Sequence, residues 1–209
     1  MTVPSPQDVT AGPAQKEPYI IRAAKSTDAT SIAKLGAHVF TVSFAHSVAP
    51  HELDAFLEES YTPAAITKDL AADATDAAAD DNNNNNNNNN TTRDIIVATD
   101  AQDDQIILGF AYLTRGSTDA SVDHLESKCE LQRIYVHPAV HGRGIGRLLA
   151  TRVENMAREQ GFKNIWLGVW EENANAIKAY EKWGYRRVGD HDFVIGTVVQ
   201  TDYIMLKDL

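Results

Sequence analysis

The chain has 209 residues, a formal net charge of −10 and one cysteine, Cys129. The length suits one domain with a sizeable core, and the acidic charge argues against a nucleic-acid or anionic-membrane surface. One cysteine excludes an internal disulfide and a cysteine-based zinc site. Because Cys129 stands at the start of a predicted buried strand, we interpret it as an inert core thiol.

Two segments are predicted to be disordered. Residues 1–18 are rich in proline and lack an apolar run, which indicates an N-terminal arm. Residues 72–92 form an Ala/Asp/Asn-rich insertion that contains nine consecutive asparagines, and such a tract cannot bury apolar surface. Residues 19–209 are therefore predicted to form a single domain around this insertion. With no export signal or apolar span in the sequence, we expect a cytoplasmic protein.

The first predicted elements are a strand, Tyr19–Ala24, and a helix that buries Ile32, Leu35 and Phe40. A second helix begins near Pro50, a favoured residue in a first helical turn, and reaches about Tyr61. A third helical stretch begins at Thr62 and gives way to the insertion. The second helix carries four acidic residues: Glu52, Asp54, Glu58 and Glu59. They could form a solvated face, or they could attract a cationic substrate.

A hairpin and the central motif come next. Alternating apolar residues predict strands over Asp94–Thr99 and Gln105–Thr114. A further strand, Leu131–Val136, leads into the glycine-rich loop His141–Gly146, after which the spacing of the apolar residues becomes helical. Glycines let consecutive N–H groups converge, and the helix N-terminus favours an anion such as a pyrophosphate.

Other interpretations of this loop remain. A tight strand-to-helix turn would need no ligand. A Walker loop is excluded because Gly-Lys-Ser/Thr is absent. A dinucleotide-binding fingerprint would need glycine at Arg147, although Glu171 or Glu172 could imitate its ribose-binding acid, so this alternative is weaker but open.

The final elements are a strand over Ile165–Trp170, a helix over Asn173–Trp183 that ends at Gly184, and two closing strands, Arg186–Val194 and Val198–Leu206. This order predicts an α/β (α+β) fold. Its sheet should be mixed and mostly antiparallel, with about seven strands and helices on both faces.

Two motifs resemble a known family. Pro138-x-x-His141-Gly-Arg-Gly-x-Gly146 is similar to the coenzyme A pyrophosphate loop of the GNAT family of N-acetyltransferases, written Q/R-x-x-G-x-G/A. His141 departs from the usual Gln or Arg, but the loop binds mainly through its backbone. Asn173-x-x-Ala-x-x-x-Tyr180-x-x-x-Gly-Tyr185 matches a second family motif. Together with the tail from Gly196, the motifs most resemble the PaiA-type branch of polyamine acetyltransferases.

This resemblance implies the GNAT fold, acetyl-CoA as co-substrate and no metal. The backbone amides of Ile134 and Val136 would hold the thioester carbonyl and the pantetheine arm, and Asn173 would also bond that arm. The pyrophosphate would contact the loop and the first helical turn, namely His141, Gly142, Arg143, Gly144, Ile145, Gly146 and Arg147.

The resemblance also implies catalytic roles. Tyr180 would donate a proton to the departing thiolate, and it shares a helix face with Asn173; a buried ring packed on Trp183 is the alternative. The general base is open. Gln132 stands where polyamine acetyltransferases often carry a carboxylate, and an amide cannot accept a proton. Glu130, expected on the same strand face as Gln132 and Ile134, is our candidate. The other candidates are a solvent water, His46, His51 and His137.

The predicted function is transfer of acetyl from acetyl-CoA to a primary amine, with a small polyamine such as spermidine or spermine as the expected acceptor. Candidate substrate-binding residues are Glu52, Glu58, Glu59 and Gln132. The partner is a small-molecule amine rather than nucleic acid or membrane, and the protein is expected to be a monomer or homodimer. The alternatives are a protein N-terminal or lysine acetyltransferase and a non-catalytic acetyl-CoA-binding module.

Overall fold

The computed structural model describes residues 18–71 and 91–209. Residues 1–17 of the predicted N-terminal arm and residues 72–90 of the predicted insertion lie outside the described residues, and Thr92 belongs to a strand. The strands are β1 (Tyr19–Ala23), β2 (Thr92–Asp100), β3 (Ile107–Arg115), β4 (Lys128–Val136), β5 (Asn164–Trp170), β6 (Arg186–Ile195) and β7 (Val198–Asp208). The helices are α1 (Ala29–Phe44), α2 (Pro50–Ser60), α3 (Pro63–Ala71), α4 (Ile145–Glu159) and α5 (Ala174–Lys182).

The described strands form one seven-stranded sheet in the order β1-β2-β3-β4-β5-β7-β6. Each neighbouring pair is antiparallel except β4 and β5. A parallel pair needs a long crossover connection, and α4 supplies it. The predicted mixed, mostly antiparallel sheet is confirmed.

Helices cover both faces of the sheet. One core cluster joins α4 and the aromatic residues of α5 to β3, β4 and β5; among its buried residues are Leu149, Val153, Leu131 and Tyr180. The opposite cluster joins α1, α2 and α3 to the other face of β2 and β3 through Ile32, Ile66, Phe110 and Tyr112. Among the described residues, no helix is both long and apolar enough to span a bilayer.

The parallel junction between β4 and β5 is short. Only Lys128–Glu130 pair with Asn164–Trp166, whereas β4 continues to Val136 and β5 to Trp170. Beyond Glu130 and Trp166 the two strands separate and leave a gap in the sheet. The gap opens toward the end of β4 that leads into the glycine-rich loop, so the fold places the loop and the gap together.

A bulge in β4 corrects one prediction from the sequence. Tyr112 of β3 faces Arg133, but the next residue, Leu113, faces Leu131, so Gln132 is an extra residue on β4. Strict alternation predicted Ile134 on the face of Glu130, and this was wrong. Because a bulge reverses the pleat beyond it, Ile134 joins Leu131 in the α4 core, while Glu130 and Arg133 share the opposite face.

Candidate active site

The gap exposes backbone donors of β4. The amide of His137 donates to the carbonyl of Leu108 on β3 at 2.8 Å. Successive N–H groups of a strand point to alternate sides. The amides of Ile134 and Val136 therefore point away from β3, into the gap, where β5 has already separated from β4. This is the orientation that the sequence analysis requires of them.

The glycine-rich loop has the backbone of an anion-binding turn. Gly142 and Gly144 have φ angles of +75° and +83°, and a methyl group at either position would meet no atom within 4 Å. The first bond of the α4 ladder runs from the Leu148 amide to the Gly144 carbonyl at 3.0 Å. The preceding amides, of Ile145, Gly146 and Arg147, are outside the ladder and are available to an anion.

The side chains of this region are held in different ways. Nε2–H of His141 donates to the Val136 carbonyl at 2.9 Å, and its backbone amide donates to Pro138. Both hydrogen bonds of His141 are therefore made within the loop region, and the backbone amides available to a ligand begin after His141. The Arg147 guanidinium lies 5.4 Å from the ring centroid of Trp183 and 3.5 Å from the buried carboxylate of Glu154. Arg143 is exposed.

Helix α5 begins at the second predicted coenzyme contact. Asn173 is its N-cap, and Oδ1 of Asn173 accepts from the Ala176 amide at 3.2 Å. That bond uses the side-chain carbonyl and leaves the Nδ2 amino group as the donor for a ligand. The cap orients the side chain as well as starting the helix.

Tyr180 lies on α5 and is 8% exposed. Its ring makes edge-on contacts with Trp183 and Tyr185, at centroid distances of 5.5 and 5.7 Å. Burial, with a smaller contribution from Tyr135, raises the pKa of Tyr180 above its usual value. The hydroxyl therefore stays protonated at neutral pH and can act as a proton donor but not as a base.

Glu130 lies where the strands begin to separate. It is half-buried and is the last residue of β4 paired with β5. Burial raises the pKa of Glu130 to about 6, against the opposing effects of the Ser117 hydroxyl and of Arg93, His191 and Arg133. Near neutral pH the carboxylate is ionised but close to its pKa, which suits a group that takes up and releases a proton.

Gln132, on the bulge, belongs to a polar network. Its Oε1 accepts from Arg93 Nε and from Thr114 Oγ1, each at 3.0 Å. Asp69 bonds Arg93 at 3.2 Å and lies 3.6 Å from Arg133. These contacts with β2 and β3 hold the amide in place, so Gln132 is a fixed polar group on the β3 side of β4.

Sequence reasoning missed a group of side chains on the same sheet face as Glu130. A methyl group at Gly168 of β5 would lie 3.4 Å from Asp202 Oδ2 and 3.9 Å from His191 Nε2. Nδ1–H of His191 donates to Asp119 Oδ2 at 2.8 Å. Burial raises the pKa of Asp202, and His191 opposes this shift. The only signal was Gly168, because glycine inside a strand indicates a close approach.

The acids of α2 separate into two groups. Glu58 and Glu59 are exposed, as is Asp54. Glu52 is buried, and its Oε1 accepts from the Thr197 amide at 2.6 Å, in the turn between β6 and β7. These contacts, chiefly the bond from Thr197, lower the pKa of Glu52. Its carboxylate anchors that turn, so the structure gives Glu52 a structural contact that the sequence analysis did not foresee.

The alternative histidine bases lie away from Glu130 in the fold. His137 Nδ1 accepts from the Ala139 amide at 3.2 Å, and its ring stacks on His38 with centroids 5.4 Å apart. His51 is exposed on α2. The ring centroid of His46 lies 5.6 Å from that of Trp170, at the far end of β5. None of the three has a contact with Glu130 that would favour it as base.

Curated sequences that resemble the chain are acetyltransferases. An uncharacterised N-acetyltransferase of Mycobacterium tuberculosis (strain ATCC 25618 / H37Rv) is 27% identical over 183 residues, covering 88% of this chain and 99% of the relative. The spermine/spermidine N(1)-acetyltransferase of Bacillus subtilis (strain 168) is 26% identical over 88 residues, covering 42% of this chain and 54% of the relative.

Solved structures agree in fold. The PaiA N-acetyltransferase of Thermoplasma acidophilum, crystallised with coenzyme A, superposes with a TM-score of 0.65 at 19% identity, covering 91% of this chain and 99% of that one. The family model described as the acetyltransferase (GNAT) family matches residues 55–185, well over half of the chain. The protein is therefore an N-acetyltransferase and belongs to the acetyltransferase (GNAT) family.

Proposed function

We propose that this enzyme transfers the acetyl group of acetyl-CoA to a primary amine of a small polyamine such as spermidine or spermine. Two carboxylates, Glu130 and Asp202, lie on one face of the sheet beside the gap between β4 and β5. A thioester in that gap would meet an amine arriving from this face. Carboxylates there attract a cationic amine and can take its proton, and this arrangement carries the proposal.

The coenzyme would use the features described above. Its pyrophosphate would contact the free amides of Gly142 to Arg147, with charge added by Arg143 and Arg147. The pantetheine arm would pair with the amides of Ile134 and Val136 in the manner of an added strand, and Asn173 Nδ2 would donate to it. These contacts fix the thioester carbon beside Glu130, so attack becomes effectively unimolecular.

Three groups would then share the chemistry. Glu130 takes a proton from the ammonium and creates the neutral nucleophile. The nitrogen attacks the thioester carbonyl, and the C–S bond breaks as Tyr180 protonates the departing thiolate. The second proton of the attacking nitrogen then returns Tyr180 to its protonated form. Gln132 would orient the acceptor as a polar neighbour of Glu130, while its amide itself accepts no proton.

Several observations favour a polyamine acceptor. A long polycation needs negative charges spaced along its path rather than one tight pocket. Glu58 and Glu59 are exposed on α2, and Asp202 supplements Glu130 nearer the gap. The Bacillus relative is named as a spermine/spermidine N(1)-acetyltransferase. The buried contact of Glu52 with Thr197 removes it from the proposed set.

A panel of acceptors tests the proposal. Release of free thiol from acetyl-CoA is measured at low ionic strength with spermidine, spermine, a monoamine and a peptide with a free N-terminus. We expect the largest kcat/KM for the polyamines, and added salt should narrow the difference by screening remote charges. Faster turnover of the peptide or the monoamine would overturn the substrate class. Coenzyme binding without thiol release from any acceptor would indicate a non-catalytic module.

A further inference from the structure

Asp119 and His191 form a fixed pair outside the residues assigned above. Nδ1–H of His191, on β6, donates to Asp119 Oδ2 at 2.8 Å, and the Ser121 amide donates to Asp119 Oδ1 at 2.8 Å. Although burial acts to raise it, these two hydrogen bonds hold the pKa of Asp119 below its usual value. Asp119 therefore stays ionised, keeps the proton of His191 on Nδ1, and leaves Nε2 as a proton acceptor.

The free Nε2 faces the reaction side of the sheet. It would lie 3.9 Å from a methyl group built at Gly168. Gly168 is two residues after Trp166, the β5 partner of Glu130, and two residues of strand span about 6.6 Å with side chains on one face. The imidazole thus reaches over β7 to β5, on the sheet face that carries Glu130, and the absence of a side chain at residue 168 leaves the space beside Nε2 open.

The side chains of Glu130, Asp119 and His191 differ in their exposure to solvent. Glu130 is half-buried, and the Asp119 side chain is 9% exposed, whereas the His191 side chain is 38% exposed. His191 also acts electrostatically on Glu130 and on Asp202, the other carboxylates that face it from β4 and β7. The imidazole of His191 therefore connects a polar, partly buried position to bulk solvent.

Acetylation of an ammonium requires a route by which a proton leaves the active site. The acceptor nitrogen loses two protons: one ends on the thiol of coenzyme A, and the other must reach solvent. If Glu130 accepts the second proton, it has to release it before the next acceptor binds. Because this carboxylic acid is half-buried and lies next to the bound substrates, an acceptor that connects it to solvent would speed this release.

We propose that His191, held by Asp119, takes this proton from Glu130 on Nε2 and releases it to solvent. The inference rests on the proposed function, in which Glu130 is the base. His191 acts through Glu130 and does not contact the thioester, so it is a positioning and relay residue for the reaction. Asp202, the β7 residue paired with His191, stabilises the imidazolium while it carries the charge.

The main test is His191→Gln, which keeps a hydrogen-bonding side chain but cannot titrate. We expect kcat with spermidine to fall about tenfold or more, with little change in KM or in acetyl-CoA affinity. Imidazole added to the buffer should restore much of the lost kcat, because it replaces the proton acceptor. The matched control is His124→Gln, an exposed histidine between β3 and β4, which should keep wild-type kcat and gain nothing from imidazole.

A second variant tests the relay independently, in case His191→Gln does not fold. Gly168→Ala places a methyl group at ordinary contact distances from Asp202 and His191, so the fold accepts it while the space beside Nε2 is reduced. It should also lower kcat and respond to imidazole.

The outcomes separate the two proposals. Wild-type kcat in folded His191→Gln, or a loss in both variants that imidazole does not restore, overturns the relay. If Glu130→Gln loses activity while His191→Gln keeps it, the relay alone is wrong. If Glu130→Gln retains full activity, the proposed base is wrong as well.

Discussion

Glu130 of β4 and Trp166 of β5 are the last residues paired across the parallel junction of the described sheet. Beyond them the strands diverge, and the β4 amides that would have bonded β5 are left facing a gap. The same residue pair brings a carboxylate to the edge of that gap. One interruption of a sheet thus provides both the donors proposed for the coenzyme and the base proposed for the amine.

The loop before α4 should be required for coenzyme binding. Gly144→Glu puts a carboxylate where the pyrophosphate meets the amides, so calorimetry should show acetyl-CoA affinity falling at least tenfold, about 1.4 kcal/mol. Gly161→Glu is the matched control. The φ angle of Gly161 is +84°, close to the +83° of Gly144, so a side chain is equally strained at both positions, and a methyl group at Gly161 also meets nothing within 4 Å. Equal losses of affinity in both variants would reject the assignment of the loop.

The hydroxyl of Tyr180 should contribute to the chemical step. Tyr180→Phe keeps the ring contacts with Trp183 and removes the proton donor, so kcat should fall about a hundredfold while acetyl-CoA affinity changes little. The control is Tyr185→Phe, which removes a buried hydroxyl from the neighbouring ring. If steady-state kinetics give the two variants the same kcat, Tyr180 is not the proton donor and only packs in the core.

Glu130 should link stability and activity to pH in opposite directions. Its folded pKa, raised from 4.5 to about 6, means that the folded state binds the proton more tightly than the unfolded chain. Its contribution to stability is therefore full below about pH 4.5 and is lost as pH rises through 6. Activity follows the ionised carboxylate and should fall as pH drops through 6.

Glu130→Gln tests this linkage. At pH 7 the variant should lose kcat and have a Tm equal to or above that of the wild type, and the difference in Tm should diminish toward pH 5. Glu126→Gln, at an exposed position, serves as the control and should change neither quantity. Thermal unfolding in which Glu130→Gln is clearly less stable than wild type at pH 7 would mean that the carboxylate makes a stabilising contact instead.

The exposed acids of α2 should act on polyamines at a distance. Glu58→Gln combined with Glu59→Gln should raise KM for spermine more than KM for a monoamine. Each charged amine of spermine loses attraction to the two carboxylates, whereas a monoamine has one charge to lose it. Glu159→Gln with Glu181→Gln removes the same charge from exposed positions on α4 and α5. If the control pair raises KM for spermine equally, only net charge matters and α2 is not a specific contact.

The sequence predicted the helices and strands and the backbone turn of the glycine-rich loop well, because both depend on local patterns. Apolar periodicity placed all seven strands, and the glycines at 142 and 144 have the positive φ angles that such a loop needs. The interior of β4 could not be predicted in the same way. One extra residue at Gln132 reverses the pleat, and nothing in the alternation of polar and apolar residues reveals it.

Contacts between segments that are distant in the chain could not be predicted from the sequence either. Asp119 and His191 are 72 residues apart, and their pairing depends on how the loop between β3 and β4 crosses the sheet. Glu52 resembled its acidic neighbours on α2, but it faces the Thr197 amide, 145 residues later in the chain. Neither partner can be inferred from spacing on a single helix or strand.

The most direct test of the account is mass spectrometry of spermidine incubated with acetyl-CoA and the full-length enzyme, with thiol release followed in the same sample. We expect mono-acetylated spermidine in a one-to-one ratio with free thiol, at a rate that falls with Glu130→Gln and Tyr180→Phe. Thiol release without acetylated spermidine, or acetyl groups found only on protein amines, would contradict it.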